Sequence, residues 1–377
     1  MASAVDIIAA IGASLKQAST RALDVSLNEI LDMARDGELE VSPDYQRLFR
    51  WTEGQQSRFI ESLLLEMPVP PIFVIEEDDG RYQLIDGLQR ISSYLHLRGQ
   101  LEAAHLDPPV RLGQKLVLSD CDMVLELNGL SYEDLPTSLQ IRLKRAFIRM
   151  EVIRKETDPR FKYHMFKRLN TGGEILSDQQ VRNASIRMLD NHFPNFLIDL
   201  SQIDSFKTCT TALTQERKLT AFDQELVLRF FALKNVREKF KHEVSEFLTD
   251  YMERVADPTI LEPFDFAVEK AQFEKTFEVL AASLGEFSFS FANKRKDDLS
   301  SGFSIYHFEA ITIGLQGVID KLDASDKSQM DLLRDTLRSI KLDAEFMRIT
   351  SGGGRNSPGP LRDRISFAQE RLEHAFG

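Results

Sequence analysis

In the first half of the chain, short apolar stretches alternate with prolines, glycines and capping residues, a pattern typical of mixed strands and helices. A capping box at residues 26–29 predicts a short helix. Thr52 predicts the start of a second helix, which a group of prolines ends. Apolar runs at 72–75 and 81–85, joined by an acidic turn with a glycine, predict a β-hairpin.

Further strands are predicted at 121–127 and 146–153, with a helix between them. Asp158, followed directly by a proline, predicts the N-cap of another helix that runs to Leu169. The sequence Asn-Thr-Gly-Gly at 170–173 interrupts that helix, since two glycines favour a turn. Up to about residue 190 the chain therefore predicts a mixture of strands and helices.

The remainder of the chain changes character. After a second capping box at 177–180, apolar residues recur with helical periodicity, and a Phe-rich stretch at 287–291 is the one unassigned segment. The predicted helices of this half cover residues 225–231, 240–254, 266–284, 306–322, 330–340 and 361–376. The prediction is an α+β protein with an N-terminal helix or extension at 1–19, an α/β domain at 20–190 and an all-helical domain at 191–377.

Composition narrows the class of protein. The chain has 377 residues, of which 42% are hydrophobic and 28% charged, as in a globular protein with a core. No apolar run reaches the roughly 18 residues of a membrane span, and no basic leader precedes the apolar N-terminus. Cys121 and Cys209 supply neither a disulfide framework nor a metal cluster, which favours a cytoplasmic location.

The charge is unevenly distributed. A net charge of −12 argues against a protein that coats DNA without regard to sequence. Residues 142–168 nevertheless contain ten Lys or Arg and only three acids. One interpretation is a local anionic ligand, and the other is a solvated helix face that acids elsewhere balance.

The richest polar sequence lies at 85–90, Ile-Asp-Gly-Leu-Gln-Arg, between a predicted strand and a predicted helix at 91–97. The unpaired N–H groups and positive dipole end of a helix start favour phosphate. Gly87 lets the backbone approach a ligand, and Arg90 can bind two phosphate oxygens. A phosphate site is therefore one interpretation, and Asp86 as a simple helix N-cap is the other.

Three further polar clusters interrupt the apolar pattern. They are Tyr45-Gln46-Arg47 with Arg50-Trp51, Lys167-Arg168 with Asn170-Thr171-Gly172-Gly173 and their continuation Gln180, Arg182 and Asn183, and the glycine loop from Gly352 to Arg355. Each has a structural alternative: a surface cation–π pair, a helix C-cap with a turn, and a surface loop. The sequence contains no His-Glu-x-x-His metal motif, no Walker loop, no recognisable His-Asn-His nuclease pattern and no glycine elbow around a serine.

These clusters, in this order and spacing, resemble the N-terminal domain of GmrSD-type restriction endonucleases over about residues 20–190. The residues that carry the resemblance are Pro43 to Arg47, Trp51, Phe59 to Leu64, Pro68 to Phe73, Asp86 to Arg90, Phe166 to Gly173 and Leu176 to Ala184. Weaker matches near 222–232 and 308–310 look like the helical region of stand-alone members. The resemblance implies a ParB/sulfiredoxin-like domain in which a Gly-x-x-Arg turn binds phosphate, and here Gly87 and Arg90 hold those positions.

The resemblance also implies binding and hydrolysis of a nucleoside triphosphate in bacterial restriction or phage defence. The expected catalytic residues are Asp86, Gln89 and Arg90, with Mg²⁺ held through Asp86. The expected nucleotide-binding residues are Gly87, Tyr45, Gln46, Arg47, Arg168, Asn170, Thr171, Gly172 and Gly173. DNA and a separate nuclease subunit are the further partners that such a role implies.

Two features depart from the family pattern. Leu88 stands where the family usually has the first glutamine of Asp-Gly-Gln-Gln-Arg; if that amide orients the attacking water, turnover is slow or absent. If Gln89 orients the water, or if position 88 packs beside Ile91, nothing is lost. The second departure is that no His-Asn-His module is recognisable after the helical region. The alternative to an NTPase is a non-catalytic module that binds DNA or a partner through the same site.

Overall fold

The structure is a computed structural model that describes residues 6, 19–40, 49, 51–104, 106, 108–170, 177–187, 189–241, 243–257, 264–352 and 356–377. The predicted N-terminal helix or extension at 1–19 lies outside these residues except for Asp6 and Ser19. The chain forms two compact units, residues 1–174 and 175–377. The division into domains at residue 190 stays a prediction.

The first unit contains a mixed five-stranded sheet in the order β1-β5-β3-β4-β2. Its elements are β1 (Thr20–Ser26), α1 (Leu27–Arg35), β2 (Leu39–Glu40), α2 (Glu53–Leu64), β3 (Ile72–Glu76), β4 (Tyr82–Asp86), α3 (Leu88–Leu97), α4 (Thr137–Arg145), β5 (Phe147–Ile153) and α5 (Pro159–Asn170). β1 pairs with β5, and β3 with β4, in antiparallel fashion, whereas β3–β5 and β2–β4 are parallel. The predicted hairpin and strand at 146–153 are confirmed.

Local capping explains where the helices begin. The Thr52 hydroxyl accepts the N–H of Gln55, whose own side chain accepts the N–H of Thr52, and this capping box starts α2. The Asp158 carboxylate accepts the N–H of Phe161, so α5 begins at the predicted proline. These predictions are confirmed because each depends only on residues within one turn.

The predicted strand at 121–127 is wrong. This segment is irregular and ends in a 3-10 turn at Leu125–Leu127. The buried carboxylate of Glu61 accepts the N–H groups of Met123 and Val124, at 3.0 and 2.6 Å. Backbone donors that would pair with a neighbouring strand are therefore bound by a side chain of α2.

The second unit is helical, apart from a two-stranded hairpin of β6 (Phe291–Ala292) and β7 (Leu299–Ser300) beside the Phe-rich stretch. Its helices are α6 (Asp178–Ile186), α7 (His192–Ser201), α8 (Asp204–Cys209), α9 (Gln215–Leu219), α10 (Phe222–Val236), α11 (Val244–Ala256), α12 (Phe266–Ser283), α13 (Ile305–Gly314), α14 (Lys327–Leu342), α15 (Ala344–Thr350) and α16 (Pro358–Phe376). The predicted α+β class with a helical C-terminal region is confirmed.

One predicted helix of this unit, at 306–322, is shorter than expected. α13 ends at Gly314, and two 3-10 turns follow it. A Cβ at Gly314 would lie 3.0 Å from the backbone nitrogen of Gln369 in α16, so close packing of the two helices requires glycine there. No helix of the described residues is long and apolar enough to cross a membrane.

Candidate phosphate site at the β4–α3 turn

The turn between β4 and α3 is built on a glycine that no other residue can replace without strain. Gly87 has φ 104° and ψ 10°, the left-handed region that favours glycine. A Cβ at this position would lie 2.4 Å from Cγ2 of Ile72 in β3. The chain therefore turns directly from the end of β4 at Asp86 into α3 at Leu88, with the turn packed against β3.

Asp86 does not cap the helix. Gly87 is the N-cap residue of α3, and no side chain makes a capping hydrogen bond there. The simple N-cap interpretation of Asp86 is therefore wrong. Its carboxylate points to Arg90 instead, because Asp86 closes the strand one residue too early to reach the first helical N–H groups in the usual way.

Arg90 is fixed beside this turn. Its Nη2 donates to Asp86 Oδ2 at 2.8 Å and to the carbonyl oxygen of Pro71 at 2.9 Å. The Arg90 side chain is 15% exposed and that of Asp86 35% exposed. The buried Nε of Arg90 has no hydrogen-bond acceptor within the described part of the chain. The guanidinium is thus held in place with unused donor capacity, next to an uncapped helix start.

Leu88, the residue that departs from the family motif, is buried, with 4% of its surface exposed. Ile91, on the same face of α3, is also buried. Position 88 therefore contributes to the core beneath the turn.

Gln89 connects the turn to the tryptophan cluster. Its Oε1 accepts the backbone N–H of Trp51 at 3.1 Å. Trp51 is half-buried, and its ring lies 6.0 Å from the ring of Phe59, between centroids. Two of the polar clusters seen in the sequence thus meet in the first unit. Tyr45, Gln46, Arg47 and Arg50 lie outside the described residues.

Helix α5, which carries the cluster at 167–173, packs against β4 and so lies beside the strand that ends at Asp86. Arg168 on this helix is exposed. The side chains of Lys167 and Asn170, and all of Thr171, Gly172 and Gly173, lie outside what the structure describes.

The continuation of that cluster has a structural role in the second unit. Gln180 accepts the N–H of Ser177 at 3.0 Å in the predicted capping box, which is confirmed. Arg182 is 3% exposed and donates to Gln179 at 3.1 Å, and Asn183 donates to the side chain of Gln224. These side chains join α6 to α10 and α11 rather than forming an exposed anion site.

The basic stretch at 142–168 is partly neutralised within the first unit. Arg142 donates to the carbonyl oxygen of Leu64 at 3.0 Å and lies 3.7 Å from a Glu66 oxygen. Arg149 pairs with Glu151 at 3.0 Å. An open groove of about 890 Å³ is lined by Arg142, Arg149 and Phe147, among others, and Phe147 is 65% exposed. The local pairs favour a solvated surface for much of this stretch.

A resident metal centre is not evident in the described residues, which contain no group of three or more His, Cys, Asp or Glu side chains able to hold a metal ion. Mg²⁺ commonly binds through one or two carboxylates together with the phosphates of its nucleotide. Asp86, with its partly exposed carboxylate beside the turn, fits that mode.

Two residues near the site were missed in the sequence, Gln56 and His96. Gln56 donates from Nε2 to the carbonyl oxygen of Trp51 at 2.8 Å, and its Oε1 lies 2.8 Å from Nδ1 of His96. Both side chains are almost fully buried, at 2% and 1% exposed. The signal available in the sequence was a glutamine on the apolar face of α2, four residues before Ile60.

Part of the chain matches a known protein family. Residues 27–187 match the family described as the GmrSD restriction endonuclease, N-terminal domain. No curated protein and no solved structure matches the chain. The matched region contains the whole Asp86–Arg90 turn, Trp51 and α5. The segment 27–187 is therefore similar to the N-terminal domain of GmrSD restriction endonucleases, which confirms the predicted resemblance.

Proposed function

We propose that this protein binds a nucleoside triphosphate at the β4–α3 turn and hydrolyses it in a bacterial restriction or phage-defence system. The observation that carries the proposal is the position of Arg90, fixed by Asp86 and Pro71 beside an uncapped helix start. An arginine and a helix N-terminus both attract phosphate, and Gly87 keeps the backbone accessible. The similarity of 27–187 to a restriction domain supports the cellular role.

In this proposal Arg90 and the N–H groups after Gly87 bind phosphate oxygens. Asp86, whose carboxylate accepts a hydrogen bond from Arg90, is the residue that would hold Mg²⁺ or a water molecule of its shell. When bound, Mg²⁺ neutralises developing charge on the phosphates. We assign the rest of the phosphate and nucleotide contacts to the matching family positions Tyr45, Gln46, Arg47, Arg168, Asn170, Thr171, Gly172 and Gly173.

Gln89 is the residue that we propose orients the attacking water. Gln89 follows Asp86 and Gly87 at the start of α3, and its Oε1 accepts the N–H of Trp51, which fixes the position of the carboxamide beside the turn. The oxygen of this water then bonds to the terminal phosphorus, the bond from that phosphorus to the bridging oxygen breaks, and the nucleoside diphosphate leaves. The water's protons pass to the released inorganic phosphate and to solvent. Burial of Leu88 supports a packing role for position 88. We therefore assign the orientation of the water to Gln89.

The test is phosphate release from the purified protein with each of the four ribonucleoside triphosphates and Mg²⁺. We expect release with at least one of them and a loss of at least about a hundredfold in Arg90→Ala. Arg81→Ala is the matched control, because Arg81 is an exposed arginine at the opposite end of β4. Equal inactivity of the wild type and Arg90→Ala with all four nucleotides would contradict hydrolysis.

A second candidate function is a non-catalytic module that binds DNA. The exposed Phe147 and the arginines around it favour this candidate, since arginine and aromatic side chains together bind nucleic acid. Its affinity for DNA should then fall steeply between low and moderate salt without any nucleotide present. In either case the DNA cleavage of a restriction system would come from a separate nuclease subunit.

A further inference from the structure

Both backbone polar groups of Trp51 are bound by buried or partly buried glutamine amides. Gln89 on α3 accepts the N–H, at 3.1 Å, and Gln56 on α2 donates to the carbonyl oxygen, at 2.8 Å. The two helices pack against each other in the first unit. Trp51 is thus fixed from both sides, immediately before the Thr52 capping box that starts α2.

The orientation of the Gln56 amide is determined by its partners. Because Nε2 donates to a carbonyl oxygen, Oε1 is left as an acceptor and faces Nδ1 of His96. His96 must therefore carry its proton on Nδ1 to donate to Gln56. Burial lowers the pKa of His96, which keeps the ring neutral near pH 7 and compatible with this single donor role.

The consequence for the site passes through Trp51. The Gln89 carboxamide can orient a water only if it is itself held in one orientation, and its hydrogen bond with Trp51 provides that. Trp51 can provide it only if its own peptide group is fixed, and Gln56 fixes it. Of the four residues in this network, Gln56, Trp51, Gln89 and His96, only Gln89 was assigned a catalytic role in the sequence analysis.

We propose that Gln56 is a positioning residue that acts through Trp51 to hold the Gln89 carboxamide in the orientation that hydrolysis requires. This inference rests on the proposed triphosphatase activity. A change at Gln56 should therefore lower kcat and leave substrate binding unchanged, because the phosphate contacts come from Arg90 and the helix start.

The experiment compares Gln56→Met with Gln55→Met. Both variants lose a hydrogen bond at the start of α2, but only Gln56 contacts Trp51, whereas Gln55 contacts Thr52. Phosphate release with Mg²⁺ and each ribonucleoside triphosphate gives kcat and KM. Acrylamide quenching reports Trp51 directly in the ligand-free protein, because Trp51 is the single tryptophan of the chain.

We expect Gln56→Met to lower kcat about tenfold, to leave KM within about threefold and to increase quenching of Trp51. Gln55→Met should change none of these. Gln56→Glu keeps an acceptor for His96 and removes the donor to Trp51, and it should reproduce the effect if Gln56→Met does not fold.

Unchanged quenching in Gln56→Met would overturn the proposal, whatever the activity. Increased quenching with unchanged kcat, or an equal loss of kcat in Gln55→Met, would overturn it as well. If the wild type releases no phosphate from any triphosphate, the proposed function fails and the effect on Gln89 fails with it. A quenching increase confined to Gln56→Met would then show only that Gln56 fixes Trp51.

Discussion

Asp86 with Arg90 in the first unit, and Glu309 with Arg364 in the second, are the same chemical pair in different surroundings. Glu309 and Arg364 are 2% and 1% exposed, and Glu309 also accepts from Arg229 at 2.6 Å. Asp86 is 35% exposed, and its described ion-pair partner is Arg90. A buried pair with every partner in place resists change, whereas a partly exposed pair can exchange one anion for another. The buried pair suits a core, and the partly exposed pair suits a ligand site.

The largest expected effect is on the buried pair. Glu309→Gln removes a charge that pairs with two buried arginines, Arg229 and Arg364, of which Arg229 keeps Glu225 as a second partner. We expect the free energy of unfolding to fall by about 3–5 kcal/mol, measured by urea titration. Glu345→Gln is the control, because Glu345 pairs with Arg348 on the surface and should give no measurable change. An equally small effect at Glu309 would contradict its role in the core.

Low pH should lower the stability of the folded protein through a buried histidine of the second unit. Burial first, and then the nearby Lys341, lower the pKa of His307 from its ordinary 6.5 to about 3. Between pH 6.5 and 3, His307 therefore binds a proton in the unfolded chain but not in the folded protein. The free energy of unfolding falls as pH decreases through this range. We expect roughly 2–3 kcal/mol to be lost by pH 4.5.

Urea titrations at several pH values measure this loss. His307→Gln should flatten the acid dependence, and His374→Gln, which changes an exposed histidine, should leave it as in the wild type. A steep acid loss that persists in His307→Gln would assign the effect to other groups.

The departure at position 88 gives the next prediction. Leu88→Gln restores the usual family residue but places an amide in the core, and we expect a loss of about 1–3 kcal/mol in unfolding free energy with no gain in phosphate release. Leu88→Met, which keeps an apolar side chain, should cost less than about 1.5 kcal/mol. A large increase in turnover in Leu88→Gln without loss of stability would contradict the packing role.

The smallest effect on stability is expected at the exposed pair. Asp86→Asn keeps the shape of the side chain and removes the carboxylate that now pairs with the guanidinium of Arg90. In calorimetry without Mg²⁺, we expect the affinity for inorganic phosphate to rise about three- to tenfold, with stability within about 1 kcal/mol of the wild type. Asp79→Asn, at the other end of β4, is the control. Weaker phosphate binding in Asp86→Asn would show that Arg90 and Asp86 do not compete in this way.

These comparisons indicate what the sequence could predict. The hairpin at 72–86, the helix start at Thr52 and the capping box at Ser177 were predictable because their determinants lie within a few residues of one another. The strand predicted at 121–127 failed because Glu61, some sixty positions earlier, binds its backbone. An apolar pattern carries no information about such distant contacts.

The same limit applies to the site. The Asp86–Arg90 turn was predictable as a polar sequence between a strand and a helix, although the N-cap interpretation of Asp86 was wrong. The contacts of Trp51 with Gln89 and Gln56 were not predictable, since they join a loop to two helices of the fold. A packing role for Leu88 was one of the alternatives that the sequence left open, and its burial favours that alternative.

The central claim is that Arg90 at the β4–α3 turn binds phosphate. Isothermal titration calorimetry of the wild type, Arg90→Ala and Arg81→Ala with each ribonucleoside triphosphate and Mg²⁺ tests it most directly. We predict binding of at least one triphosphate by the wild type and Arg81→Ala, and a loss of at least about tenfold in affinity in a folded Arg90→Ala. Equal affinity in all three proteins would contradict the claim.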